Sequence, residues 1–124
     1  MSTDEFFMAK ALRLAKQAGA VGEVPVGALV VKDGEIIGEG YNQPISGCDP
    51  TAHAEIVAMR NAADNTNNYR LNDCDLYVSI EPCTMCVGAM IHGRIGRVIF
   101  GAAEPRAGAL QSQLQLMEQS HYNH

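Results

Sequence analysis

Apolar positions recur at steps of three and four near the start of the chain: Phe7, Ala11, Leu14, Ala15 and Ala18. Lys10, Arg13, Lys16 and Gln17 lie between them, so residues 6–18 predict an amphipathic helix with one core-facing stripe. Ser2 and Glu5 have the spacing of a capping box, and Gly19 supplies a stop. The pattern then changes. Residues 26–31 are an almost unbroken apolar run, residues 36–41 a second run, and Asp33-Gly34 between them predicts a hairpin turn. Neither run alternates cleanly, which predicts burial on both faces.

Residues 42–50 carry Pro44, Ser46, Gly47, Asp49 and Pro50 and predict a loop. Thr51 offers an N-cap to a helix over 52–60, and the polar residues 64–68 predict a loop beyond it. Residues 76–80 predict a strand. Pro82 suits the first position of a helix that reaches His92 and stops at Gly93. Residues 97–101 predict another strand, and residues 109–117 a short helix. A strand, a helix of this length and a strand predict a parallel pair with a right-handed crossover. The sum is a three-layer α/β fold with helices on both faces of a mixed sheet, one domain over residues 1–124.

Composition changes little. A chain of 124 residues, 47% hydrophobic and 19% charged, is ordinary for one folded domain. No apolar run approaches the ~20 residues of a membrane span, and the acidic N-terminus has no features of a signal peptide, so no membrane partner and a cytoplasmic location are expected. The net charge of −5 argues against indiscriminate binding to a nucleic-acid backbone. It leaves room for a local basic patch, for which Arg70, Arg94, Arg97 and Arg106 are candidates.

The chemistry begins at Pro82-Cys83-Thr84-Met85-Cys86. In the first turn of a helix the two cysteines share one face, and the helix N-terminus favours their thiolates. Without a secretory leader, this spacing reads as metal-binding or redox-active rather than as half of a disulfide framework. A zinc ribbon needs a second pair, whereas Cys48 and Cys74 stand alone and read as ordinary thiols. A thioredoxin-type pair and a mixed Cys/His metal site remain. His53, also at a predicted helix start, is the candidate third ligand, while His92, His121 and His124 sit at a helix end or in the tail. Three protein ligands would leave a fourth position open, as in catalytic zinc sites. Glu55 is two residues from His53 and would point about 200° away in an ideal helix. At a helix end facing a pocket the two could instead straddle the site, with Glu55 beside a water; alternatively, Glu55 only favours the dipole of its own helix.

His53-Ala54-Glu55 followed by Pro82-Cys83-x-x-Cys86 resembles the signature of the zinc nucleoside and nucleobase deaminases. Within that superfamily the chain is similar to the bacterial tRNA-specific adenosine deaminases. The similarity rests on residues 22–28, on Asp49-Pro50-Thr51-Ala52-His53-Ala54-Glu55, and on residues 81–101 with Gly88-Ala89-Met90-Ile91-His92. The resemblance implies a cytidine-deaminase-like fold, one zinc ion per subunit on His53, Cys83 and Cys86, and Glu55 as the catalytic acid and base. It further implies base recognition by Asn42, acceptance of the leaving amine by the Pro82 carbonyl, and support of the reacting oxygen by the Cys83 N–H. The implied reaction converts the wobble adenosine of a tRNA anticodon stem-loop to inosine, in a homodimer. Family members continue past His121-Tyr122-Asn123-His124 into a last strand and a C-terminal helix, often basic. This chain is therefore expected to lack both, leaving the strand at 97–100 at a sheet edge and weakening its stability and RNA grip. The rival expectations are a guanine- or cytosine-type deaminase of free bases or nucleosides, and a catalytically silent zinc-binding module.

Overall fold

The computed structural model describes residues 3–102; Ser2 of the expected capping box, the helix expected over 109–117, Arg106, His121 and His124 lie outside them. The elements run α1 (Thr3–Ala20), β1 (Gly27–Lys32), β2 (Glu35–Tyr41), α2 (Ala54–Thr66), β3 (Asp75–Val78), α3 (Thr84–Gly93) and β4 (Arg97–Phe100). The sheet order is β2-β1-β3-β4, with β1 antiparallel to both neighbours and β3 parallel to β4. The strand–helix–strand expectation thus holds, and so does the three-layer architecture.

Alternation along β1 divides the core. Ala28 and Val30 point to the layer of α2 and α3, with Leu76, Val78, Cys86 and Met90. Leu29 and Val31 point to α1, where they meet Phe7, Ala11, Leu14 and Tyr77. β1 is central and buried on both faces, as its apolar run predicts. β2 is not: it is an edge strand with Glu35 and Glu39 exposed, so the same expectation fails there. Asp33 and Gly34, both with positive φ (51° and 79°), make the predicted tight turn.

Helix ends depart from the sequence pattern in all three helices. α1 passes Gly19 to Ala20, and the positive φ lies at Gly22. α2 begins at Ala54, not Ala52, because Thr51 is held in a turn: the Asp49 carboxylate accepts its N–H (2.9 Å) and its hydroxyl (2.8 Å). The far end of α2 covers residues expected to be loop. Asn61 and Asn65 donate to the Glu39 and Ile37 carbonyls of β2 (2.6 and 2.8 Å), tying that turn down before Asn67 closes the helix at φ 53°. α3 starts at Thr84, leaving Pro82 outside, and Gly93 is its last residue; Arg94, at φ 63°, takes the left-handed position.

On the α1 face, the buried Tyr77 donates its hydroxyl to Asp4 Oδ1 at 2.5 Å. Arg97 donates to Asp4 (2.7 Å) and to Asp75 (3.3 Å), joining α1, β3 and β4. Arg97 is thereby committed to structure and drops out of the expected basic patch. Arg70 lies over the Tyr69 ring, and Arg94 is exposed at its helix end.

Candidate metal centre and active site

Two helix starts face each other on the α2/α3 side of the sheet. His53 is the N-cap of α2 and Cys83 the N-cap of α3, both extended, and neither side chain caps its own helix. A capping side chain typically contributes about 1 kcal/mol. Here both forgo it and turn toward each other. His53 Nδ1 lies 3.6 Å from Cys83 Sγ and 3.6 Å from Cys86 Sγ. The three ligand atoms all fall within 4.8 Å of one another.

These distances fit zinc. Tetrahedral bonds of about 2.3 Å to sulfur and about 2.05 Å to nitrogen place the two donors about 3.6 Å apart. The electrostatics agree: hydrogen bonding from Cys86 leads the effects that pull the Cys83 thiol down to about 5, despite its half-burial. The same hydrogen bond, with burial, pushes Cys86 up. A cation bound between the two sulfurs would favour the thiolate form of both. Cys48 is exposed on its loop and Cys74 is buried, with its thiol pushed up by burial; neither joins the cluster, as expected.

Glu55 is 3% exposed. Burial pushes its carboxyl above the usual range, opposed by its own backbone N–H, while negative charge on Cys83 adds to the rise. His53, Cys83 and Cys86 all act on the Glu55 carboxyl electrostatically, so the 200° separation does not keep it from the neighbourhood of the cluster. A buried carboxyl whose proton affinity is raised beside a metal cluster is suited to alternate between base and acid.

Asn42, at the end of β2, is buried, and its Oδ1 accepts the Ala54 N–H at 2.8 Å. It is the cap that Thr51 was expected to be, reaching α2 from twelve positions upstream. Its Nδ2 has no partner among the described residues. Pro82 is fully buried immediately before Cys83. One contributor was not singled out from the sequence. Glu23, a buried carboxylate, accepts the N–H groups of Ser46 (2.7 Å) and Ile45 (3.3 Å), clamping the loop that follows Asn42. The Ser46 N–H chiefly holds its carboxyl below the usual range. The available signal was a lone charge in the apolar run Val21 to Val26.

Similarity to known proteins agrees with this geometry. The chain is 52% identical over 122 residues to the tRNA-specific adenosine deaminase of Haemophilus influenzae, an alignment covering 98% of this chain and 70% of that protein. A solved structure from biochemical and structural studies of A-to-I editing by tRNA:A34 deaminases at the wobble position superposes with a TM-score of 0.94 at 42% identity. That match covers 97% of this chain and 87% of the other. The guanine deaminase of Bacillus subtilis is 45% identical with a TM-score of 0.78, over 80% of this chain and 64% of its own. Residues 1–102 match the cytidine and deoxycytidylate deaminase zinc-binding region, and the chain belongs to that family.

Proposed function

We propose that this protein is a hydrolytic, zinc-dependent deaminase that converts the wobble adenosine of a tRNA anticodon loop to inosine. The observation that carries the chemistry is the buried Glu55 carboxyl beside the cluster of His53, Cys83 and Cys86. The choice of tRNA rests on the relatives, since the chain aligns over 98% of its length with a tRNA-specific adenosine deaminase.

In this reading His53, Cys83 and Cys86 hold the zinc, which when bound acts as a Lewis acid and brings water toward ionisation at neutral pH. Glu55 takes the proton of the attacking water as the oxygen adds to C6 of the adenine ring. The same carboxyl returns that proton to the ring nitrogen and then serves the departing ammonia, so one residue covers alternating base and acid steps. Water enters, ammonia leaves, and the base becomes hypoxanthine. The Nδ2 of Asn42 donates to the base, the Pro82 carbonyl accepts from the leaving amine, and the Cys83 N–H supports the reacting oxygen. The base must be splayed out of the loop to reach this pocket.

We take residues 1–124 as a single deaminase domain acting in the cytoplasm, where tRNA is its partner. No helix among the described residues is long and apolar enough to cross a membrane. A homodimer completes the proposal, on the resemblance to the tRNA-specific adenosine deaminases.

The decisive experiment supplies zinc-loaded protein with an anticodon stem-loop carrying a wobble adenosine and, separately, with free adenosine, guanine and cytosine. Inosine in the stem-loop alone is the expected result. Turnover of guanine alone would replace this reading with that of the guanine deaminases, and no turnover of any substrate would leave a silent zinc module.

A further inference from the structure

α2 lies against β2 more closely than side chains permit. A Cβ placed on Gly40 would sit 2.7 Å from the Ala54 carbonyl oxygen, 2.7 Å from the Ala58 nitrogen and 2.8 Å from the Val57 Cβ. One built on Gly38 would sit 2.4 Å from the Ala58 carbonyl oxygen and 2.6 Å from the Ala62 nitrogen. Both glycines have negative φ, so backbone conformation does not demand glycine at either position. The requirement comes from the neighbouring helix. Ala54, Ala58 and Ala62, all fully buried, form the facing stripe. Asn61 and Asn65 lock the helix laterally, and Asn42 holds its first turn.

We infer that Gly40 is a positioning residue for the metal centre, letting α2 seat deeply enough against β2 to bring His53 Nδ1 to both cysteine sulfurs. The inference rests on the reading of His53, Cys83 and Cys86 as metal ligands. Its magnitude follows from the distances. Any side chain at residue 40 would force the Ala54 turn outward by about 0.7 Å to regain ordinary contact. Metal bonds tolerate only about 0.2 Å. Ala54 adjoins His53 in sequence, and the obstructing atoms are backbone, so no rotamer change relieves the contact. Gly38 differs in its leverage. Its clash is more severe, but it bears on Ala58 and Ala62, a turn further from His53. With the first turn held by Asn42, α2 can tilt away there while its N-terminus stays in place.

The test titrates Co²⁺ into metal-free protein, following the thiolate-to-metal charge-transfer and ligand-field bands, with thermal unfolding in parallel. The parent shows a tetrahedral Co²⁺ spectrum. Gly40→Ala binds Co²⁺ about tenfold or more weakly, as expected when support around a ligand is lost. Gly38→Ala loses more thermal stability but less affinity. Leu14→Ala, a cavity on the opposite α1 face, lowers the unfolding temperature while keeping the parent's spectrum and affinity. If Gly40→Ala does not fold, Asn61→Ala is the milder probe: it removes only the bond to the Glu39 carbonyl and should speed zinc release to a chelator. Parent-like affinity in Gly40→Ala, equal weakening in Leu14→Ala, or an unchanged release rate in Asn61→Ala overturns the inference. A parent that binds no Co²⁺ overturns the ligand reading itself, and the inference with it.

Discussion

At the scale of single residues, the proposed mechanism separates groups that hold from groups that react. Glu55 is buried and senses the charges of the cluster but is not one of its three ligand residues, so Glu55→Ala is expected to retain zinc while losing activity by about 10²-fold or more. Cys83→Ala should lose both. Zinc content alongside inosine formation checks the pair, and an active Glu55→Ala protein would contradict the mechanism. Tyr77 has no part in the reaction but couples stability to pH. Burial, followed by the hydrogen bond to Asp4, pushes its phenol up to about 12, while donors from Tyr77 and then Arg97 hold the Asp4 carboxyl below the usual range. The raised phenol contributes stability that is whole below the unfolded value near pH 10 and is lost as pH rises through about 12. The depressed carboxyl contributes stability present above the unfolded value, about pH 4, and lost as pH falls through the lower folded one. Tyr77→Phe should therefore unfold on the order of 4 °C lower than the parent at neutral pH. The difference should shrink at both extremes; a gap independent of pH would contradict this account.

At the scale of elements, the active site consists of two helix starts whose capping comes from elsewhere or is forgone. Asn42 illustrates the consequence, because its two amide atoms do different work. Oδ1 caps Ala54, while Nδ2 is the atom that the proposed mechanism assigns to the substrate base. Asn42→Ala should cost about 1–2 kcal/mol of stability as well as activity. Asn42→Asp keeps the acceptor and should restore most of the stability without restoring turnover. Unfolding midpoints together with inosine formation separate the two roles, and recovery of activity in Asn42→Asp would assign Nδ2 no part in binding. This arrangement also shows where legibility stops. The interiors of α1, α2 and α3 follow from apolar spacing, because burial of one face is a local periodic property. Their ends do not: Thr51 looks like a cap by every local rule, but Asp49 engages it and the cap comes from Asn42. Asn61 and Asn65 read as the edge of a polar loop until β2 offers them carbonyls.

At the scale of the whole molecule, the metal would join helix starts that otherwise touch sparingly. His53 reaches the cluster from α2, while Cys83 and Cys86 reach it from α3, with β3 between them in sequence. Binding energy at the cluster is thus also tertiary binding energy, and removal of zinc should destabilise the entire domain. With free zinc at a thousand times its dissociation constant the linkage is worth about 4 kcal/mol. Chelation should lower the unfolding temperature cooperatively and raise hydrogen exchange first at the starts of α2 and α3. An unfolding temperature indifferent to chelation would contradict the ligand assignment.

The sequence by itself determined the three-layer class and, through its resemblance to the zinc deaminases, singled out His53, Cys83, Cys86 and Glu55 as the candidate site. Those are matters of residue type and local spacing: two thiols three residues apart, a histidine with an acid two positions on, unbroken apolar runs for strands and an apolar period of nearly four for helices. Only the tertiary structure decided that His53 and the cysteines stand 3.6 Å apart, that Glu55 is buried against them, and that Asn42 and Glu23 organise the loop above. It alone separated the central β1 from the edge strand β2 and gave Gly40 its reason. The physical cause is common to all of these. Burial, capping by a distant side chain and steric depth are properties of what lies across the sheet, and the chain's own neighbours do not encode them.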